Sequence, residues 1–167
     1  LPKGFFYIII ALFISTQIYS LFLKNEAFLD VILIGTNFVL RAVSGTFIIK
    51  TDISPWLIIC AFFLALFLGF GKRIADLKIL GEKAKEHKAV FKIYTEKLLN
   101  SIVNSIIAII ITTYSLYTFF KEGNGLILTL PIVVYALFRY YYLINSGSII
   151  ARHPDKAFKD VRLILSM

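Results

Sequence analysis

Five long runs of apolar residues divide the chain, and short polar segments separate them. A helix needs about 20 predominantly apolar residues to cross the roughly 30 Å hydrocarbon core of a bilayer. Runs near that length predict transmembrane helices, because a helix pairs every backbone N–H and C=O internally where no water is available. The predicted spans cover approximately residues 4–23, 28–49, 54–71, 98–119 and 126–144.

The amino-acid composition favours the same class of protein. Hydrophobic residues make up 59% of the chain and charged residues only 17%, whereas about a quarter of a soluble domain is charged. Cys60 is the only cysteine, so no internal disulfide can form, and two histidines are too few for a histidine–cysteine zinc site. We therefore predict an all-α fold, a polytopic membrane helix bundle that forms a single domain over residues 1–167.

The distribution of basic residues predicts the orientation of the spans. Thirteen lysines and arginines lie in one set of alternate segments, and three lysines lie in the other set. Because positively charged loops stay in the cytoplasm, the first set is predicted to be cytoplasmic. The net charge of +8 thus indicates a multi-pass protein of the cytoplasmic membrane, in contact with lipid and not with nucleic acid. The first set covers 24–27, 72–97 and 145–167, and the second contains Lys3, Lys50 and Lys121.

Polar residues inside two spans are candidates for binding. In the second span, Asp30, Asn37, Arg41 and Ser44 follow each other at spacings of seven, four and three, which places them on one helix face. An arginine at the centre of a span costs at least ~2.5 kcal/mol, so it usually serves a partner or a ligand. A structural ion pair is the alternative for Arg41. Arg139 in the fifth span makes a similar case, with snorkelling to the interface as its alternative.

The loop over residues 72–97 carries eight basic and four acidic residues. Its apolar stripe predicts an amphipathic helix lying on or capping the cytoplasmic face. The alternative is a solvated loop that contacts anionic lipid. The stripe consists of Leu77, Leu80, Ala84 and Phe91.

The first turn of this loop, GKRIAD, places Lys72 and Asp76 four residues apart on one helix face, with Arg73 alongside. A carboxylate beside two cations suits a diphosphate bridged by Mg²⁺, because the carboxylate can hold the ion while the cations bind phosphate oxygens. The spacing therefore makes these three residues candidates for the reacting end of a lipid-phosphate enzyme.

Four segments form a recognisable combination in this order: YSLFLKNEAFLDVILIGTNFVLRAVSGTF (19–47), SPWLIICAFFLALFLGFGKRIADL (54–77), EHKAVFKIYTEKLLN (86–100) and LTLPIVVYALFRYYYL (128–143). They resemble the decaprenyl-phosphate phosphoribosyltransferase branch of the UbiA family of intramembrane prenyltransferases. The resemblance covers nearly the whole chain.

The resemblance implies nine spans, of which these five are the fourth to the eighth. It also implies two polar motifs that face the cytoplasm, and GKRIAD matches the second. The aspartate-rich first motif is absent from the sequence, so we expect the chain to be a fragment that lacks the N-terminal part of the same enzyme. RHPDKAFKD (152–160) resembles part of that motif only superficially and follows the eighth span, so it is not counted.

By position in the family pattern, Asp76 is implied as the Mg²⁺ ligand, with Lys72 and Arg73 as catalytic cations that bind phosphate. The substrate-binding candidates are Lys24, Asn37 and Arg41, which match by position, together with Arg139, which the residue pattern itself suggests. The branch often has aspartate where Asn100 stands, which leaves the role of Asn100 open.

The resemblance implies a magnesium-dependent transfer of phosphoribose from phosphoribosyl diphosphate to a polyprenyl phosphate, with release of diphosphate. We expect the fragment alone to be inactive, since it holds only one of the two motifs. One alternative is a UbiA-type prenyltransferase with a prenyl diphosphate donor and an aromatic or other acceptor. Alternatives of another class are a non-catalytic membrane scaffold and a transporter segment.

Cysteine labelling tests the predicted topology. In a Cys60→Ser background, Lys85→Cys and Lys121→Cys should react with a membrane-impermeant maleimide from opposite sides of sealed vesicles, because the charge asymmetry places them on different sides. Labelling of both positions from the same side would contradict the topology.

Overall fold

The structure, a computed structural model, describes residues 3–49, 51, 54–84, 89–120, 125–154, 156 and 160–164. Within these residues the chain is helical and contains no strand. The five long helices are α1 (Lys3–Leu21), α2 (Leu29–Ile49), α3 (Pro55–Leu80), α4 (Glu96–Phe120) and α5 (Leu130–Asn145). Two short helices follow, α6 (Ile149–Arg152) and α7 (Val161–Ile164), and 3₁₀ turns occupy Leu23–Asn25, Gly81–Lys83, Ala89–Lys92 and Leu126–Thr129.

Five helices of the described chain are long and apolar enough to cross a membrane. Four of them are α1 to α4, and the fifth is α5 together with the 3₁₀ turn that precedes it, Leu126–Asn145. The prediction of an all-α polytopic membrane bundle is confirmed. The protein is therefore an integral membrane protein.

Contacts at the two ends of neighbouring helices show that consecutive helices are antiparallel. Trp56 at the start of α3 stacks on Phe120 at the end of α4, with ring centroids 6.0 Å apart. At the opposite end of the same pair, Nζ of Lys78 lies 2.7 Å from Oε1 of Glu96. The C-terminal ends of α1, α3 and α5 and the N-terminal ends of α2 and α4 therefore lie at the same end of the bundle. We call it the polar end.

Helix α3 is the centre of the bundle. It packs against α2, α4, α5 and the short α6, whereas α1 packs mainly against α2. The largest fully buried side chains include Phe67 and Ile74 of α3, Leu99 and Val103 of α4, and Ile144 of α5. Because α3 lies in the middle, residues near its C-terminus, at the polar end, contact side chains from several other elements.

A glycine on α3 allows α2 to approach closely. A Cβ built at Gly69 would lie 2.5 Å from Cγ1 of Val31, which is closer than two carbon atoms can pack. Val31 is fully buried and β-branched, and such side chains have one strongly preferred rotamer in a helix. The side chain at position 31 therefore cannot easily move away.

Helix α3 continues well beyond the predicted end of its apolar run at residue 71. It ends only at Leu80, where Gly81 adopts a positive φ of 54° and its N–H bonds to the carbonyl of Leu77. The motif GKRIAD is therefore part of a transmembrane helix and not the first turn of a separate one. A positive φ favours glycine, which explains why the helix stops at this residue.

The predicted apolar stripe of the following loop packs into the bundle. Ala84 and Phe91 are buried in the core, together with Val90 and Tyr94, which the stripe did not include. In the described part of this loop, 3₁₀ turns occupy Gly81–Lys83 and Ala89–Lys92, and the buried side chains pack into the core of the bundle. Residues 85–88, in the middle of the predicted amphipathic helix, lie outside the described residues.

Matched glycine substitutions test the close approach of α2 and α3. Gly69→Ala should destabilise the protein by roughly 1–3 kcal/mol, because the added methyl group overpacks against Val31. Gly45→Ala meets no atom within 4 Å and should be neutral or stabilising by up to about 1 kcal/mol through helix propensity. The measurement is unfolding in detergent, and equal effects of the two substitutions would contradict the packing.

Candidate active site

A buried ion pair joins α2 to α3 at the polar end. Asp30 is fully buried, and Arg73 is only 4% exposed. The guanidinium of Arg73 donates two hydrogen bonds to Oδ2 of Asp30, from Nε at 3.0 Å and from Nη2 at 2.7 Å. The hydroxyl of Tyr94 donates a third bond to Oδ1 at 2.8 Å. The same hydroxyl accepts a bond from the backbone N–H of Phe28 at 2.6 Å, so the loop before α4 also joins this network.

Burial raises the pKa of Tyr94 well above its ordinary value, and the hydrogen bond to Asp30 acts in the same direction. The phenol therefore remains a protonated donor across the physiological range. A buried carboxylate that loses one partner is left with an uncompensated charge, which costs about 3–5 kcal/mol when the lost partner is an ion. The guanidinium of Arg73, predicted as a phosphate-binding cation, is thus occupied by a carboxylate within the protein.

Asp76, the predicted metal ligand, lies mostly buried between two arginines. Nε of Arg152 lies 3.0 Å from its Oδ1, and Nη1 of Arg73 lies 3.9 Å from its Oδ2. Lys72, one turn earlier on α3, is exposed and makes no ion pair with any residue that the structure describes. Of the two predicted cations, Lys72 is the one whose charge is available to a ligand.

Two further ion pairs join elements at the polar end. Nζ of Lys78 donates to the backbone carbonyl of Asn145 at 2.8 Å and also contacts Glu96, which links α3, α4 and α5. Arg139 donates to both oxygens of Asp160, from Nη2 at 2.7 Å and from Nε at 3.3 Å. These bonds lower the pKa of Asp160, so the carboxylate stays charged. Arg139, predicted to bind substrate, therefore has a partner in the tail after α5.

None of the three predicted binding residues before α3 forms an ion pair or a hydrogen bond with Asp76 in the described chain. Lys24 is exposed in the 3₁₀ turn between α1 and α2, and Arg41 is exposed near the middle of α2. Asn37 is partly buried, and its Oδ1 is buried with no hydrogen-bond partner in the described chain. At 1.5 Å per residue, Asn37 lies about 10 Å along α2 from Asp30. The structure therefore does not bring it to the ion pairs around Arg73 and Asp76 at the polar end, which are called the cluster.

Asn100 has a structural contact. The hydroxyl of Tyr141 donates to its Oδ1 at 3.1 Å, and its Nδ2 donates to the backbone carbonyl of Glu96 at 3.0 Å. The side chain therefore links α4 to α5 near the polar end, which gives a physical reason for a neutral amide at this position.

Three members of the cluster were not predicted from the sequence: Tyr94, Arg152 and Asp160. Asp30 was predicted to lie on the polar face of the second span, but its pairing with Arg73 was not predicted. Arg152 and Asp160 belong to RHPDKAFKD, the segment set aside because of its place in the family pattern.

The described residues do not by themselves form a magnesium site. Mg²⁺ prefers near-octahedral coordination by oxygen atoms. The described chain contains no group of three or more histidine, cysteine, aspartate or glutamate residues that could hold a metal, and both oxygens of Asp76 face guanidinium groups. A metal at Asp76 would need further oxygen ligands and the displacement of an arginine.

Comparison with known proteins supports the resemblance seen in the sequence. No protein-family profile matches the chain. Over 168 residues the chain is 26% identical to the decaprenyl-phosphate phosphoribosyltransferase of Mycolicibacterium smegmatis, and the match covers 92% of this chain and 52% of that protein. It is 23% identical to the enzyme of the same name from Mycobacterium tuberculosis, with the same coverage. The Corynebacterium glutamicum enzyme is 25% identical over 66% of this chain and 34% of its own length.

These similarities confirm the resemblance to the decaprenyl-phosphate phosphoribosyltransferase branch. The chain spans about half the length of the curated relatives it matches.

A tyrosine substitution tests the buried network. Tyr94→Phe removes a hydrogen bond to a buried carboxylate and leaves the N–H of Phe28 without its acceptor, so it should destabilise the protein by about 1–3 kcal/mol. Tyr7→Phe, at an exposed position on α1, should change stability by less than about 0.5 kcal/mol. Thermal unfolding in detergent measures both, and a neutral Tyr94→Phe would show that the network does not support the fold.

Proposed function

We propose that the complete enzyme transfers phosphoribose from phosphoribosyl diphosphate to a polyprenyl phosphate. The observation that carries this proposal is the similarity of the chain, over 92% of its length, to proteins named decaprenyl-phosphate phosphoribosyltransferase. The cluster of basic side chains at one end of a transmembrane bundle supports it, because an acceptor with a lipid tail and a phosphate head needs both environments.

In the proposed reaction, the bond between the anomeric carbon of ribose and the diphosphate oxygen breaks, and its electron pair leaves with the diphosphate. A phosphate oxygen of the lipid then forms the new bond to the anomeric carbon. Negative charge grows on the leaving group, so fixed cations nearby stabilise the transition state more than the ground state. Lys72 is exposed at the polar end and is suited to this role.

The buried arginine has a different role in this proposal. Arg73 forms an ion pair with Asp30, and its Nη1 lies 3.9 Å from Oδ2 of Asp76. It therefore helps to position the Asp76 carboxylate within the cluster. We propose Arg73 as a positioning residue, with Lys72 as the cation that meets phosphate. Mg²⁺ enters the proposal only for the complete enzyme, where further carboxylates from outside the described residues would complete its ligands.

The orientation in the membrane is also part of the proposal. The polar end carries the segments that the basic residues assign to the cytoplasm, so both substrates would be bound from the cytoplasmic side of the cytoplasmic membrane. A water-soluble diphosphate would enter from that side, while the polyprenyl tail would lie between helices.

Donor labelling tests the proposed reaction. Membranes that contain the complete enzyme should convert ribose-labelled phosphoribosyl diphosphate and a polyprenyl phosphate into a labelled product that is soluble in organic solvent. Labelled prenyl diphosphate offered with an aromatic acceptor should give none. The reverse result would identify the protein as a prenyltransferase, and absence of product from both donors would contradict a transferase of either kind.

Two lysines provide a matched pair for the same assay. Lys72→Ala should raise the KM for the donor and lower kcat, with a combined loss of roughly tenfold or more, because a hydrogen bond to a charged group is worth about 1.5–3 kcal/mol. Lys92→Ala removes another exposed positive charge, outside the cluster, and should have little effect. Equal kinetic effects of both substitutions would remove Lys72 from the site.

The 167-residue chain alone is expected to be inactive. Among its described residues, Asp30 and Asp160 each accept two hydrogen bonds from an arginine, and Asp76 alone cannot hold a metal-bridged diphosphate. Release of diphosphate by the purified chain, with no second polypeptide present, would contradict the need for another motif.

A further inference from the structure

Three arginines at the polar end form ion pairs, and one of them differs from the others. Arg73 and Arg139 each donate two hydrogen bonds to a carboxylate. Arg152 lies 3.0 Å from Asp76 through Nε, but this contact is not accompanied by a hydrogen bond in the described chain. Its side chain is 38% exposed. A guanidinium has five N–H donors in a planar fork, so most donors of Arg152 are available to another acceptor.

The backbone that carries Arg152 is fixed. Helix α6 begins at a cap in which Oγ of Ser148 accepts from the N–H of Ile150 at 3.3 Å. Ala151 is fully buried in the core, and the N–H of His153 closes the short helix on the carbonyl of Ile149 at 3.0 Å. The guanidinium is therefore delivered to Asp76 by an ordered element that packs against α3.

Lys72 and Arg152 belong to different elements, and of the two only Arg152 contacts Asp76 in the described chain. Lys72 precedes Asp76 by four residues on α3, and side chains at that spacing are neighbours on a helix surface. Arg152 reaches the same carboxylate from α6. The exposed edge of the cluster thus carries two cations around one carboxylate, while the neighbouring Arg73 is already neutralised by Asp30.

We propose that Arg152 and Lys72 form a phosphate-binding pair, and that Asp76 holds Arg152 in place until a phosphate group replaces it. A phosphate group accepts two parallel hydrogen bonds from a guanidinium fork, which the present contact with Asp76 does not use. The ligand is a phosphate group carried either by a diphosphate or by a polyprenyl phosphate. This inference deepens the proposed function and rests on it only for the identity of the phosphate carrier.

The proposal assigns to Asp76 an effect opposite to that of a simple metal ligand. In the absence of metal, the carboxylate competes with phosphate for Arg152 and repels it. Removing its charge should therefore strengthen phosphate binding. A carboxylate that acted on phosphate through its charge alone, without holding Arg152, would give the same gain whether or not Arg152 is present.

Calorimetric titration with inorganic pyrophosphate, on the full chain in detergent with a chelator present, tests the pair. Arg152→Gln should weaken binding at least about tenfold, as expected for the loss of a charge-assisted hydrogen bond. Arg162→Gln removes an exposed arginine of α7 and should leave the Kd unchanged. Arg152→Lys keeps the charge but not the fork and should fall between the two, which gives a second reading if Arg152→Gln fails to fold.

Asp76→Asn should bind pyrophosphate several-fold more tightly than the natural chain, and Asp76→Asn combined with Arg152→Gln should lose that gain. No measurable binding by the natural chain at millimolar pyrophosphate, equal affinity of Arg152→Gln and Arg162→Gln, or a gain that survives in the double variant would each overturn the proposal.

The source of the phosphate is distinguished with lipid. Native mass spectrometry of the chain in nanodiscs that contain polyprenyl phosphate or the uncharged polyprenol compares the two lipids directly. If Arg152→Gln weakens the retention of polyprenyl phosphate, the pair binds the acceptor. If Arg152→Gln weakens only the binding of pyrophosphate, the pair binds the donor. Because no turnover is measured, pyrophosphate binding by this chain combined with absence of product from the complete enzyme in the donor assay would reject the proposed function and leave the phosphate site standing.

Discussion

The buried contact between Asp30 and Arg73 is the constraint on which the polar end depends. It neutralises two charges that a low-dielectric interior would otherwise exclude, and it does so with hydrogen bonds that also engage the loop before α4. Asp30 fixes the start of α2 against α3, and Arg73 then holds the neighbouring Asp76 within the cluster. The position of the exposed Lys72 relative to Asp76 follows from this arrangement, since both stand on the same helix.

The apolar runs were sufficient to predict five helices, because the number of consecutive apolar residues shows directly whether a helix can cross a bilayer. The end of α3 was not predictable in that way. The apolar run stops before Lys72, but no residue that breaks a helix occurs until Gly81, so the helix continues through polar residues that pack against other elements. Loss of hydropathy therefore marked the end of the predicted span and not the end of the helix.

The site was predictable only where its residues are close in sequence. Spacing on a helix grouped Lys72 with Asp76, and it also grouped Arg73 with them. Successive residues on an α-helix point about 100° apart, and that rotation turns Arg73 toward α2. Its partner is 43 residues away, and pairing over such a distance leaves no trace in a single sequence. The same holds for Asp76 and Arg152, which meet only because α6 folds back onto α3.

The contact between Asp30 and Tyr94 has a consequence for how the protein is made. Asp30 emerges from the ribosome 43 residues before Arg73 and 64 residues before Tyr94. Until both have been synthesised, the carboxylate of Asp30 lacks the two side chains that hydrogen-bond to it in the folded bundle. The final position of α2 against α3 is therefore set only after α3 has followed it into the membrane.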